Sequence, residues 1–159
     1  MAEGFPETPA TKFLRGHKIT FQGHLYDYEA HGGTRVSSEK LGVSEHQVIK
    51  TLVMEDENKK PLIVLQHGDK KVSTKELARQ IGRKKVEPCD PDVAERHSGY
   101  QVGGTSPFGT RKAMPVYVES SVLALEAIWI NGGKRGFLVS LDPRALVIVL
   151  NAKEVSVAL

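Results

Sequence analysis

The run Gly99-Tyr100-Gln101-Val102-Gly103-Gly104-Thr105-Ser106-Pro107-Phe108-Gly109-Thr110-Arg111-Lys112-Ala113-Met114-Pro115 constrains this chain more than any other part of it. Close-set glycines, hydroxyl side chains, a proline and a basic pair are incompatible with a helix interior. Glycine collects where the backbone must reach φ > 0 or approach another group closely. Pro107 fixes its own φ and steers Ser106 out of the α region. Gly103-Gly104-Thr105-Ser106-Pro107 is therefore expected to be a stiff loop with exposed amides, suited to hydrogen-bonding an oxyanion or a carbonyl. Arg111 and Lys112 put positive charge beside it. From the residues alone, a glycine-rich surface turn with no chemical purpose is the competing reading.

The rest of the chain must form the frame for this loop. Its 159 residues are the length of one ordinary domain, so a single domain over 1–159 is expected. With 40% hydrophobic and 26% charged residues, it has the composition of a globular chain rather than a disordered one. The longest apolar block, residues 145–150, is far too short for a membrane helix, which needs about 18 residues or more. Residues 1–6 have neither the charged start nor the apolar core of a signal peptide, so a cytoplasmic location without a membrane partner is expected. The single cysteine, Cys89, excludes an internal disulfide framework and suits a reducing compartment. A net charge of +3 is compatible with a polyanionic partner only if the charge is concentrated where that partner binds.

Turn and cap signals divide the chain into short elements. Thr8 or Thr11 caps a helix through Lys18, and residues 19–28 read as a strand carrying Tyr26 and Tyr28 on one face. Residues 36–41 form one or two helical turns stopped by Gly42, and residues 44–46 begin another. Residues 47–55 and 61–67 read as the arms of a hairpin turning through 56–60. Ser73-Thr74-Lys75-Glu76 has the form of a capping box for a helix ending at Gly82. A short strand over 84–87 precedes a helix that Asp90-Pro91 opens. Beyond the glycine loop come strands at 116–118, 127–130 and 137–141, with residues 131–136 as a loop. A helical turn at 120–124, a helix from Asp142-Pro143 through Leu150 and a terminal strand over 155–159 complete the set. Short strands with irregularly inserted helices argue for a mixed sheet, an α/β chain of the mixed α+β kind.

Three separated motifs carry a family resemblance. Gly99-Tyr100 with Gly103-Gly104-Thr105-Ser106-Pro107 and Gly109, Lys50-Thr51-Leu52 upstream, and Gly132-Gly133-Lys134-Arg135-Gly136 downstream together resemble the YbaK family. Its members are free-standing aminoacyl-tRNA deacylases related to the editing domain of bacterial prolyl-tRNA synthetase. The resemblance runs from about Thr8 to about Leu150. It implies a curved, partly closed mixed β-sheet with surrounding helices. The implied activity is trans-editing: hydrolysis of the ester of mischarged aminoacyl-tRNA, above all Cys-tRNA(Pro), without metal or other cofactor. The substrate's own thiol would attack the ester carbonyl, which accounts for a chain with no evident catalytic base. Aminoacyl-tRNA would be the partner, tRNA(Pro) in particular, with prolyl-tRNA synthetase as a further one. A catalytically weak tRNA- or synthetase-binding module of the same fold is the alternative.

The candidate site residues follow. Lys50 lies in an apolar run, where a lysine either snorkels at a sheet edge or points into a functional cleft. The resemblance selects the cleft, and with Lys50 it implies catalytic roles for Gly103, Gly104 and Ser106. Substrate contacts are implied for Tyr26, Thr51, Thr105, Pro107, Arg111, Lys112, Lys134 and Arg135. Strand alternation turns Thr51 away from the Lys50 face unless the strand twists or ends there. Ser106 lacks a nucleophile elbow and is expected to shape the loop rather than attack. The six histidines show no metal-ligand spacing, and Cys89 lacks the sequence context of a thiol nucleophile. The basic pairs Arg111-Lys112 and Lys134-Arg135 adjoin the glycine motifs and suggest a funnel for a phosphate backbone. Leu138 departs from the family pattern, standing where better-known members carry an acidic residue.

Overall fold

The two apolar runs around residues 56–60 become β2 (Val48–Asp56) and β3 (Pro61–His67) of the computed structural model, which describes residues 4–159. They pair antiparallel from Ile49↔His67 to Glu55↔Pro61. The Asp56 carboxylate holds the turn by accepting from the amides of Asn58 and Lys60. Alternation sends Ile49, Val53, Ile63 and Leu65 into the larger core with Phe108, Ile130, Phe137 and Leu146. Met54, Leu62 and Val64 enter a second core on the other face with Leu77, Ala78 and Val86. Burial on both faces is why these strands read as continuous apolar runs.

Around this pair, the described residues form a mixed eight-stranded sheet and five helices. In chain order these are α1 (Pro9–Gly16), β1 (Gln22–Leu25), α2 (Gly33–Leu41), β2, β3, α3 (Thr74–Ile81), β4 (Val86–Pro88) and α4 (Pro91–Ser98). Then follow β5 (Val116–Glu119), β6 (Ile128–Lys134), β7 (Phe137–Leu141), α5 (Arg144–Leu150) and β8 (Lys153–Val155). The strand order is β1-β7-β6-β2-β3-β5-β8, with β4 also on β2. The β2–β6, β3–β5 and β5–β8 pairs are parallel and the rest antiparallel.

One feature of this topology positions the site. Because β3 occupies one edge of β2, β6 and β4 share the other. β6 pairs only with Val48 and Ile49, and β4 only with Met54, Glu55 and Asp56. Between them, residues 50–52 have no strand beside them on this edge, so the sheet is split at its centre. A break in a ladder exposes backbone groups and lets both faces of a strand meet one space.

Several local expectations need correction. Strand β1 covers only Gln22–Leu25, because β7 begins at Phe137, the partner of Leu25. Tyr26 and Tyr28 thus lie beyond the strand, the Tyr26 amide donating to the Gly136 carbonyl at 2.9 Å. Residues 131–134 continue β6 through a register shift instead of forming a loop. Ser73 accepts from the Glu76 amide, but Glu76 bonds Arg79 and Gln80 rather than reaching back. The terminal strand lies at Lys153–Val155, leaving only an isolated Val72↔Ala158 bridge near the end. Of residues 1–6, in which no signal peptide is read, Met1, Ala2 and Glu3 lie outside the described residues. No helix among the described residues is long and apolar enough to cross a membrane.

Candidate active site

The split in the sheet opens onto a cavity of about 690 Å³. Val48, Lys50 and Leu52 line it from one face of β2, and Ile49, Thr51 and Val53 from the other. The missing neighbour on that edge is what brings Lys50 and Thr51 to one space despite their alternation. The segment after β1 and helix α2 supply Tyr26, Tyr28, His31 and Ser37. Opposite stand Val102, Gly103 and Thr105 of the glycine loop, with Asn131, Arg135 and Leu138 of the β6–β7 hairpin.

Lys50 is half-buried and makes no hydrogen bond or ion pair among the described residues. Burial lowers its pKa from the usual value, while Glu45 and Asp69 pull it back up. An ammonium kept in a partly dry cavity without a fixed partner is available to a ligand carbonyl or phosphate. The Thr51 hydroxyl oxygen is buried with no hydrogen-bond partner. A buried hydroxyl left unsatisfied is rare enough to call for an explanation, and a ligand in the cavity supplies one. Burial raises the Tyr26 pKa, with the neighbouring Tyr28 acting in the same direction.

The glycine loop is tied down from the hairpin. The Asn131 side-chain amide donates to the Gly103 carbonyl at 3.2 Å, and its oxygen accepts from the amides of Gly133 and Lys134. Arg135 donates through Nε to the Val102 carbonyl at 2.8 Å, and its guanidinium lies 5.2 Å from the centre of the Tyr28 ring. Gly103 has φ +91°, and an added methyl carbon would stand 2.6 Å from the Tyr28 hydroxyl. The amides of Gly103 and Thr105 have no hydrogen-bond partner among the described residues. They are the donors this wall offers a carbonyl or oxyanion.

Of the catalytic and substrate-contact candidates from sequence, Lys50, Thr51, Tyr26, Gly103, Thr105 and Arg135 line the cavity, and the others do not; Cys89 and Leu138 line it as well. The Gly104 amide is committed to the Gln101 carbonyl at 2.8 Å. An added methyl at Gly104 would lie 2.8 Å from the Arg135 backbone nitrogen, so this glycine permits loop-on-loop packing. Ser106 is fully buried, and its hydroxyl accepts from the Phe108 amide at 3.1 Å, stiffening the turn in which Pro107 is also buried. Arg111 packs against Gly99, and Lys134 is exposed outside the lining. Lys112 lines a different, smaller cavity. Arg111, Lys112 and Lys134 thus adjoin the glycine motifs in sequence but stand outside the cavity lining.

Sequence reasoning missed Asn131 and His31, and it gave Tyr28 no role. An asparagine before Gly132-Gly133 is a legible turn-former, but its reach to Gly103 is a tertiary fact. It also missed two groups of metal-ligand type, since each is assembled from separate elements. His46, His67 and Asp69 bring ligand atoms within 4.8 Å of one another, as do Glu55, Cys89 and His97. Both ring nitrogens of His67 already bond protein atoms, the His46 carbonyl and the Ser121 hydroxyl. In the second group, His97 Nε2 lies 3.2 Å from Glu55, while its Nδ1 is buried without a partner. Burial, then the nearby Glu55, push the Cys89 thiol up to about 11.

The profile of the aminoacyl-tRNA editing domain matches residues 33–148, a span that contains the whole β2 edge, the glycine loop and the hairpin. The chain is 30% identical over 148 residues to EbsC of Enterococcus faecalis, covering 92% of this chain and 90% of that one. EbsC is named provisionally as a Cys-tRNA(Pro)/Cys-tRNA(Cys) deacylase. A 94-residue stretch, 59% of this chain, is 23% identical to a part amounting to 16% of the proline–tRNA ligase of Brachyspira hyodysenteriae. Among solved structures, one described as a proposed trans-editing enzyme for prolyl-tRNA synthetase superposes with a TM-score of 0.85 at 18% identity. That superposition covers 98% of this chain and 99% of the other and shows a shared fold.

Proposed function

The chain belongs to the aminoacyl-tRNA editing domain family, and from that premise we propose that it is a trans-editing hydrolase that cleaves the ester of mischarged aminoacyl-tRNA. Cys-tRNA(Pro) is the substrate this reading favours, with prolyl-tRNA synthetase as a partner, in the cytoplasm, through one domain over 1–159. The observation that carries it is Lys50, an ammonium without an ion pair at the open edge of a split sheet, sharing one cavity with the free amides of Gly103 and Thr105.

The chemistry asks little of the protein, because an aminoacyl ester is already activated. The terminal ribose and carbonyl would be held by Lys50, the Thr51 hydroxyl and the loop amides. The esterified cysteine's thiol loses its proton and attacks its own carbonyl, forming a sulfur–carbon bond in a small ring. The bond to the ribose oxygen breaks, that oxygen takes a proton, and water opens the ring to free cysteine. Charge growing on the carbonyl oxygen is what an ammonium and oriented amides stabilise, and this differential interaction lowers the barrier. Leu138, buried and lining the cavity, favours an uncharged substrate side chain such as a thiol. No base or metal is assigned a step.

A deacylation panel of Cys-, Ala-, Ser- and Pro-charged tRNA tests the proposal. Rapid release of cysteine with slow release of serine, of similar size but a poorer nucleophile, is expected. Protection of every ester would instead identify a binding module.

A further inference from the structure

Lys112, which does not line the ester cavity, meets other cations elsewhere. The second cavity, about 240 Å³, is lined by Lys60 of the β2–β3 turn, Arg83 from the α3–β4 connection and Lys112 from the end of the glycine loop, with Tyr117 and the Asp56 carboxylate beside them. Lys59, Lys84 and Lys85 flank it in sequence and are exposed. The acids nearby are mostly engaged. Asp56 pairs with Arg83 at 2.9 Å, Glu57 accepts from the Lys84 amide, and Glu87 faces Lys85 at 3.4 Å. Lys59, Lys60, Lys84 and Lys112 make no ion pair among the described residues. Two elements distant in sequence, the β2–β3 turn and the end of the glycine loop, thus bring unpaired ammonium groups to one recess beside the Asp56–Arg83 pair.

We infer that this recess binds backbone phosphates of the RNA whose charged 3′ end occupies the ester cavity. Two observations connect the sites. Met54 and Pro88, paired across β2 and β4, line the ester cavity, and two residues further along the same pairing Asp56 lines the recess, so the recess adjoins that cavity along the β2–β4 pair. Along β2, Lys50 and Asp56 are six residues apart, or roughly 20 Å at the usual rise of a strand. A few nucleotides of single-stranded 3′ end span that interval, which brings the following phosphates to Lys60 and Lys112. Compact ammonium groups on mobile stems suit sequence-independent phosphate contact. The inference rests on the editing reading for the identity of the RNA, but its test does not depend on hydrolysis.

The test compares Lys60→Ala/Lys112→Ala with wild type and with Lys12→Ala/Lys75→Ala, which removes two exposed cations outside both cavities. Arg83 is left intact because it neutralises the buried Asp56. Binding of uncharged tRNA is titrated across salt, and hydrolysis is followed on full-length Cys-tRNA and on 3′-cysteinyl adenosine. The slope of log affinity against log salt is expected to become shallower by about 2, one unit per lysine removed. KM for full-length tRNA should rise at constant kcat, with cysteinyl adenosine hydrolysed as by wild type. A slope and affinity equal to those of the control overturn the inference. So does equal loss on cysteinyl adenosine, or a defect seen only with the synthetase present, which would make the partner a protein. A wild-type protein that hydrolyses no ester while the double variant still loses its salt slope would overturn the editing reading and support the phosphate site.

Discussion

At Lys50 burial lowers the ammonium pKa, and Glu45 and Asp69 only partly offset it. A folded-state pKa below the ordinary 10.5 means the charged form is penalised by folding. Between those two values the unfolded chain holds the proton more tightly, so this group's contribution to stability improves as pH rises through that window. Lys50→Met should therefore melt at or above the wild-type temperature at pH 7, the difference shrinking as pH approaches 10.5. Lower stability of the variant at neutral pH would show that the lysine has a compensating partner. Thr51 gives a companion case, since its hydroxyl is buried and unpaired. Thr51→Val removes a polar atom that folding strands, at a cost on the order of 1 kcal/mol. Stability should hold or improve while kcat/KM falls. Unchanged kcat/KM would remove Thr51 from the site.

Among elements, the glycine loop separates two uses of glycine. Gly103 faces side chains, Tyr28 and Arg135, whereas Gly104 faces the backbone of Lys134 and Arg135. Gly103→Ala should cost roughly 1–2 kcal/mol for its left-handed backbone and reduce activity per folded molecule by ~100-fold, the scale of a lost oxyanion donor. Gly104→Ala should cost more stability, since backbone yields less readily than side chains. Gly82→Ala, at φ +74° with open space around it, should destabilise like Gly103→Ala yet keep its activity per folded molecule. Urea unfolding and kcat/KM on all three decide it; activity falling only in step with unfolding would leave the loop a turn. How much of this was legible follows the range of each interaction. The hairpin arms, the Gly42 and Gly82 helix stops and the stiff loop are local, written in periodicity and turn residues. The Asn131 tie to Gly103, the burial of Ser106 and the diversion of Lys112 depend on pairings more than local, and no spacing announces them. Tyr26 was legible as a residue but not as part of a segment left beyond β1 because β7 begins only at Phe137.

At the scale of the whole molecule, the cavity proposed to hold the ester is a consequence of topology. Two strands compete for one edge of β2 and leave its middle open, so the central strand presents Lys50 and Thr51 together. Chemistry built this way draws on the frame rather than on a reactive side chain. With its thiol held near 11, Cys89 should react sluggishly with maleimides at pH 7, and Cys89→Ser should keep most activity. EDTA treatment should also leave turnover intact. Loss on chelation restored by zinc would instead turn attention to Glu55, Cys89 and His97. The most direct measurement is single-turnover hydrolysis of Cys-tRNA(Pro) by wild type and Lys50→Met, with thermal midpoints taken on the same samples. The structure predicts ester cleavage by wild type and a loss of ~100-fold or more in the variant, with no loss of stability. Near-normal cleavage by Lys50→Met would contradict the assignment of this cavity as the place where the ester is broken.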